Sequence, residues 1–342
     1  MNNPKITVLM SAYNSEKTIV LALESILSQT FEDFEIIIVN DGSTDKTLEI
    51  ISSYKDKRIR IINNESNYGL IHSLNLGIKK ANGDYVARMD ADDIANPDRL
   101  LKQLNILEKQ KDIDIVSSNV RMFSDKFKFI KKNTVSSASL EKLRTELLFQ
   151  NRIFHPTVMI RSSLLKGYNY LSEHLYCEDY GLWQRLIKNH KFIIQDEILL
   201  NYRMTSSSIT SISRKKMNLL FNSHINVYKT GLDNLGIDYK PEELKIHTEI
   251  CLARKMSDFK FNLVEKEKWL RKLKTNLIHN EKIDRKFLSE IISDFMLFNC
   301  LKENDYLFHL NSSLIEIKMN KTRFILSKYK LKVVNIIKTI IW

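Results

Sequence analysis

The chain of 342 residues has little from which to build several familiar sites. Its eight glycines stand at 42, 69, 77, 83, 167, 181, 231 and 236, and no two of them are two residues apart. That excludes the G-x-G-x-x-G dinucleotide fingerprint, and no G-x-x-x-x-G-K-[ST] phosphate loop occurs either. Without H-E-x-x-H or paired C-x-x-C motifs, zinc chemistry has no ligands. Cysteine is scarce and odd in number. Cys177, Cys251 and Cys300 lie far apart and fit free thiols in a reducing compartment better than a disulfide framework. No apolar run approaches the length of a membrane span. Met1-Asn2-Asn3-Pro4 leads at once into a strand, without the pattern of a signal peptide. These absences lead us to expect a cytoplasmic protein, with about two domains by length. Acids are outnumbered: 53 Lys and Arg against 41 Asp and Glu give +12, which suggests a nucleotide, a membrane surface or nucleic acid as anionic partner.

The first ~120 residues alternate strand and helix signals. Ile6–Met10, Ile36–Val39, Ile59–Ile62, Asp84–Ala87 and Ile113–Val116 read as strands, the second continuous and β-branched as in a strand covered on both faces. Between them, apolar residues recur at helical spacing: Ile19, Leu23, Ile26 and Leu27 after a Ser15 N-cap; Leu48 and Ile51; Leu70, Leu74 and Ile78, stopping at Asn82-Gly83. Asn96-Pro97 reads as N-cap and N1 of a helix carrying Leu100, Leu104 and Leu107. This pattern predicts a mostly parallel, right-handed α/β sheet, with ligands beyond the carboxyl ends of its strands. Beyond it lie a basic hairpin (Arg121–Phe123, Phe127–Ile130), a helix over Leu140–Phe149 and a strand over Thr157–Ile160. Glu178-Asp179 then opens a helix with Leu182, Trp183, Leu186 and Ile187, and two short strands follow at Phe192–Ile194 and Ile198–Arg203. From Arg214 onward, charged helical stretches replace strands: Met217–Val227, Glu242–Arg254, Glu265–Leu277 and Arg285–Leu301.

The polar turns at the strand ends carry the chemistry, above all Arg88-Met89-Asp90-Ala91-Asp92-Asp93. Adjacent carboxylates repel unless a cation, hydroxyls or N–H groups share their charge. Mg²⁺-type cations take one or two carboxylates plus substrate phosphates. In an extended segment Asp90 and Asp92 point to one side. The plainer reading makes these acids a charged start to the next helix.

Several blocks in order resemble the inverting, nucleotide-sugar-dependent glycosyltransferases of family 2. They are Val8–Asn14, Ser25–Thr30, Ile37–Asp45, Asn67–Leu70 with Ser73–Gly77, Ala87–Asp93, His155-Pro156 and Glu178–Trp183. The likeness spans roughly residues 4–205. It implies the GT-A fold, a mostly parallel Rossmann-type sheet flanked by helices. Residues 1–213 would then be the catalytic domain and 214–342 a helical C-terminal extension. It also implies a UDP-sugar donor and a divalent metal, Mg or Mn, held by Asp92. Asp90 would contact ribose or metal, Asp93 would be structural, and Ala12, Tyr13, Glu16 and Asp41 would form the base pocket. Asp179 would be the general base, with Glu178 beside it. Arg88, His155, Glu178, Trp183 and Arg203 are candidate acceptor or diphosphate contacts. Arg88 could equally share the acids' charge, touch a sugar or be structural, and His155 could equally be a structural histidine. Where family members often carry Tyr-Arg-x-His, this chain has Tyr202-Arg203-Met204-Thr205, which puts a third protein ligand in doubt.

The expected activity is hexosyl or N-acetylhexosaminyl transfer to a glycan, lipid-linked, in capsule, O-antigen or exopolysaccharide synthesis. One competitor is a nucleotidyltransferase acting on sugar phosphates, against which Ser11–Lys17 lacks a glycine-rich loop. The other is a non-catalytic basic module, against which the basic residues are scattered; no nucleic-acid partner is expected. From Lys321 the tail has no acid and interleaves Lys and Arg with Ile, Val, Phe and Trp342. It suits a segment lying on an anionic membrane and, equally, a last helix with a solvated basic face.

Overall fold

The computed structural model describes residues 3–124, 129–133, 139–204, 216–256 and 258–303. The second arm of the expected hairpin lies partly, and Thr205 and the basic tail wholly, outside the described residues. Among the described residues nine strands form one sheet: β1 (Ile6–Ala12), β2 (Phe34–Asn40), β3 (Ile59–Asn63), β4 (Tyr85–Asp90), β5 (Ile94–Ala95), β6 (Ile115–Ser124), β7 (Phe129–Asn133), β8 (Met159–Arg161) and β9 (Phe192–Met204). Their order is β3-β2-β1-β4-β8-β6-β9-β5, with β7 on β6. β2, β1 and β4 pair in parallel, as do β2 with β3 and β6 with β9, while β8, β7 and β5 run against their neighbours.

Strand alternation sorts the apolar residues into two layers. Val8, Met10, Ile36, Ile38, Ala87 and Met89 face α1 (Ile19–Leu27), α2 (Thr47–Ser53) and α4 (Arg99–Lys109). Leu9, Ile37, Val39 and Val86 face the other way, onto a cluster that includes α3 (Leu70–Lys80), α5 (Leu140–Leu147) and α7 (Glu178–Leu186), the four-residue α6 (Ser162–Leu165) lying between the last two in sequence. Every residue of β2 is buried, as a strand covered on both sides must be.

The helices α8 (Met217–Asn234), α9 (Pro241–Leu252), α10 (Leu263–Leu277) and α11 (Arg285–Lys302) extend that second layer. Val227, Trp269, Leu288 and Met296 belong to the same apolar cluster as Trp183 and Val86. They form the wall behind α7. His247 ties this wall to α5: its Nε2–H donates to the Leu148 carbonyl at 2.8 Å, and its Nδ1 accepts from Trp269 Nε1 at 3.1 Å. Burial pushes its pKa down to about 4, so it stays neutral in this chain of bonds. Deeper still, Lys266 is fully buried and pairs with Glu249 at 3.0 Å and Glu303 at 2.6 Å.

Several element boundaries differ from the sequence expectation. The two short strands after α7 are one strand, because Ser118–Val120 of β6 shifts register opposite Gln195–Ile198 and absorbs the polar interruption. Ser15 starts the first helical turn through its backbone carbonyl, accepting from Thr18 and Ile19, rather than through its side chain. Asn96 is not a cap: its side chain donates to the Ile198 carbonyl at 2.6 Å, and α4 begins three residues later. β8 runs antiparallel.

Candidate active site

Three turns at the carboxyl ends of β1, β2 and β4 meet at one edge, as an open α/β sheet requires. The first two are laced together. Asn14, at φ 47°, accepts from the Thr44 N–H at 2.9 Å and Thr44 Oγ1 at 3.3 Å, and its own N–H donates to Ser43 Oγ at 3.0 Å. Glu16 accepts from the Lys46 N–H, and Asp45 accepts from the Glu16 N–H. Asp41 is buried and accepts from Asn64 Nδ2 at 2.7 Å and from the Tyr68 and Gly69 N–H groups at 3.1 and 2.8 Å. Gly42 makes that approach possible. Its φ is +67°, and a Cβ there would lie 2.4 Å from the Ser66 carbonyl carbon. Ala12 turns its methyl into the core, whereas Tyr13 stands half exposed over the turn. Asp41 and Glu16 thus shape the loops as carboxylate acceptors, whatever else they bind.

The third turn is the acid cluster. Carboxylate oxygens of Asp90, Asp92 and Asp93 lie within 4.8 Å of one another. β9 holds the turn: the Arg203 N–H donates to Asp93 Oδ1 and Arg203 Nε to the Asp92 carbonyl, both at 2.7 Å. Arg203 also stacks on Phe123, 4.6 Å from the ring centre. Its guanidinium therefore braces the acids from behind. Burial, then the neighbouring Asp90 charge, pushes Asp92 up to about 7, and the same causes hold Asp93 well above the carboxylate range. Asp93 Oδ2 is buried with no hydrogen-bond partner among the described residues. Asp93 was expected to be structural; it is that and a full member of the cluster.

Across the site, α7 opens on Glu178 and Asp179. Asp179 accepts from Asn151 Nδ2 at 2.8 Å and from the Tyr180 N–H at 2.7 Å, bonds that favour its ionised form. Glu178 has no such donor from another of the described residues, and burial, then the Asp179 charge, pushes it up to about 8. Asp179 is also raised by burial, against the pull of its donors. The environments of the two acids differ: two donors favour the ionised form of Asp179, whereas burial favours the neutral form of Glu178.

Arg88 joins the two groups. It is buried and ion-paired with Asp90, and its charge also pulls down Glu178, Asp179 and Asp92. Its position is set from below by Arg99, whose Nη2 donates to the Arg88 carbonyl at 2.6 Å. Arg99 in turn bonds Gln103, which reaches the Thr157 carbonyl at 2.6 Å. Burial, then Arg88, pushes Arg99 down to about 9. His155 shares a 2.7 Å hydrogen bond with Tyr170, whose backbone is clamped by both ends of the Asn75 amide. Burial holds His155 well below the usual imidazole range, so it is neutral.

The residues 7–168 match the family model described as glycosyl transferase family 2. An uncharacterized glycosyltransferase of Methanocaldococcus jannaschii is 37% identical over 224 residues, covering 64% of this chain and 77% of that protein. One of Haemophilus influenzae is 33% identical over 254 residues, covering 70% and 78%. The chain belongs to glycosyltransferase family 2. Its fold is GT-A-like: S. aureus TarS 1-349, in complex with UDP-GlcNAc, superposes with a TM-score of 0.57 at 20% identity over 88% of this chain and 89% of that one.

Within this glycosyltransferase, the structure brings Arg88, Asp90, Asp92, Asp93, Glu178, Asp179 and His155 to one region. Trp183, expected as an acceptor or diphosphate contact, stands deeper, beside His155. The indole is fully buried, edge-on to His155 and Phe192, because that face of α7 packs on the sheet. Asn151, Tyr170 and Arg99 were missed. Asn151 alone had a sequence cue, as a polar residue in the turn before His155-Pro156; Tyr170 and Arg99 carry none.

A divalent cation fits the acid cluster. Burial and the Asp90 charge raise Asp92 and Asp93, and the buried Asp93 Oδ2 has no donor among the described residues. A hard cation taking oxygen ligands would relieve both.

Proposed function

We propose that this glycosyltransferase moves a hexose or N-acetylhexosamine from a UDP-sugar to a glycan acceptor by direct, inverting displacement. The observation that carries the reading is the juxtaposition of the acid cluster with the Glu178–Asp179 pair across Arg88. Two relatives support the donor and acceptor classes. The Escherichia coli O-antigen biosynthesis glycosyltransferase WbnJ is 32% identical over 216 residues. The E. coli UDP-Glc:alpha-D-GlcNAc-diphosphoundecaprenol beta-1,3-glucosyltransferase WfgD is 28% identical over 222 residues. TarS crystallised with UDP-GlcNAc, and a Pyrobaculum calidifontis mannosyltransferase with GDP-Man and Mn²⁺, support the same chemistry.

In this reading the turns around Ala12, Tyr13, Glu16 and Asp41 receive the uracil, and Asp90 meets the ribose or the metal. Asp92, with Asp93 beside it, holds Mg²⁺ or Mn²⁺. When bound, that cation would neutralise charge on the leaving diphosphate. Asp179 removes the proton from the acceptor hydroxyl, the hydroxyl oxygen bonds to the anomeric carbon, and the bond from that carbon to UDP breaks. Asn151 and the Tyr180 N–H keep Asp179 ionised and aimed. Residues 1–213 form the catalytic domain and the helical remainder its wall. The acceptor is lipid-linked and the enzyme works at the cytoplasmic membrane face, touched by the basic tail; no helix among the described residues is long and apolar enough to cross a membrane.

UDP release across a donor panel, with Mg²⁺, Mn²⁺ or chelator, tests the reading. Asp92→Ala and chelation should each abolish turnover. Asp179→Asn should lower transfer by about 10²-fold or more while sparing UDP affinity. Wild-type turnover by Asp179→Asn removes it as base, and chelator-resistant turnover removes the metal.

A further inference from the structure

The Arg88 guanidinium is less than a tenth exposed, yet only its Nη2 is engaged, by Asp90. Nε and Nη1 are buried with no hydrogen-bond partner among the described residues. Buried N–H groups in folded proteins are almost always satisfied, and each exception needs a reason. Arg88 lies on the Leu9 and Val86 side of β4, the side on which α7 packs. It therefore stands on the face shared by the acid cluster and the Glu178–Asp179 pair. Between those two groups must lie the anomeric carbon, with the leaving diphosphate on one side and the activated acceptor on the other.

We infer that Arg88 hydrogen-bonds hydroxyl oxygens of the sugar being transferred, through its Nε and Nη1. The chemistry suits a neutral polyol better than a further anion. Asp90 already balances the guanidinium, and the pair offers donors and acceptors side by side, as a sugar hydroxyl needs. Arg88 is then a substrate-binding residue that reads the donor's sugar rather than its nucleotide. The inference rests on the UDP-sugar reading above.

Calorimetric titration with UDP, UDP-glucose and UDP-N-acetylglucosamine in the presence of Mn²⁺ tests it on wild type, Arg88→Lys and Arg88→Gln. Loss of the Asp90 partner acts on UDP and UDP-sugar alike, so the readout is the ratio of the two affinities. Affinity for the preferred UDP-sugar should fall about tenfold to a hundredfold more than affinity for UDP, the range for hydrogen bonds to a charged group. Equal losses for UDP and UDP-sugar overturn the inference and assign Arg88 to holding the acid cluster. Wild type that binds none of the three overturns the donor reading and this inference with it. If neither variant folds, single-deoxy analogues of the preferred UDP-sugar on wild type decide. One missing hydroxyl should cost tenfold or more, and a flat series overturns the contact.

Discussion

Glu178→Gln should make this enzyme more stable at alkaline pH and leave it nearly unchanged at acid pH. Burial and the Asp179 charge push Glu178 from its ordinary value near 4.5 up to about 8. A folded-state pKa above the unfolded one means that the native protein binds the extra proton between those two values. The stability from the neutral carboxyl is complete below about pH 4.5 and is lost as pH rises through about 8. At roughly 1.4 kcal/mol per pKa unit the full shift would be about 5 kcal/mol. Asp179 shares the titration, so we assign about half of it, on the order of 2–3 kcal/mol, to removing this one group. Glutamine keeps the neutral shape and cannot ionise. Urea unfolding at pH 4, 5, 6, 7 and 8 should therefore give curves for wild type and variant that nearly coincide at pH 4. They should diverge by about 2–3 kcal/mol at pH 8, with the variant the more stable. A difference that does not change with pH would refute the protonated Glu178.

The other expectations concern neighbours and the frame. Asn151→Ala removes a donor to the Asp179 carboxylate, so the acid limb of the kcat/KM profile should move up by about one pH unit; an unmoved limb detaches Asn151 from the base. Gly83→Ala would put a Cβ 2.4 Å from the Thr7 backbone nitrogen, which cannot step aside. It should cost about 1–3 kcal/mol and lower the melting temperature by several degrees. Lys266→Met strands buried Glu249 without its cation and should cost about 3–5 kcal/mol in urea unfolding. A variant as stable as wild type would mean that Glu249 is satisfied by the Lys260 and Phe261 N–H groups alone.

Much of the sheet was legible because its strands are short apolar runs ended by polar turns, and each turn sits at a carboxyl end. Asp90 and Asp92 stood out in the sequence because adjacent carboxylates repel unless their charge is shared, whereas Asp179 stood out only through the family resemblance, since acids that open a helix are ordinary. Periodicity could not show that the strands around Gln195–Glu197 are one, since the compensating register shift lies in β6, some eighty residues earlier. Nor could it show that Asn96 bonds β9 instead of capping a helix. The burial of Trp183 was hidden for a similar reason: its place in a motif says nothing of which side of α7 meets the sheet.

Local sequence by itself determined the alternating α/β frame, the order of the polar turns and the identity of the acids. Those depend on residue type and spacing along a few neighbouring positions. Only the tertiary structure decided which acid keeps a proton, which arginine braces and which stands with open donors. Arg88, Arg99 and Arg203 are alike as letters. What separates them is burial and the partners that folding supplies: Asp90 for the first, the Arg88 carbonyl, Met89 Sδ and Gln103 for the second, the Asp92–Asp93 turn for the third. Electrostatic cost is set by the medium and the nearest opposite charge, and both are products of folding.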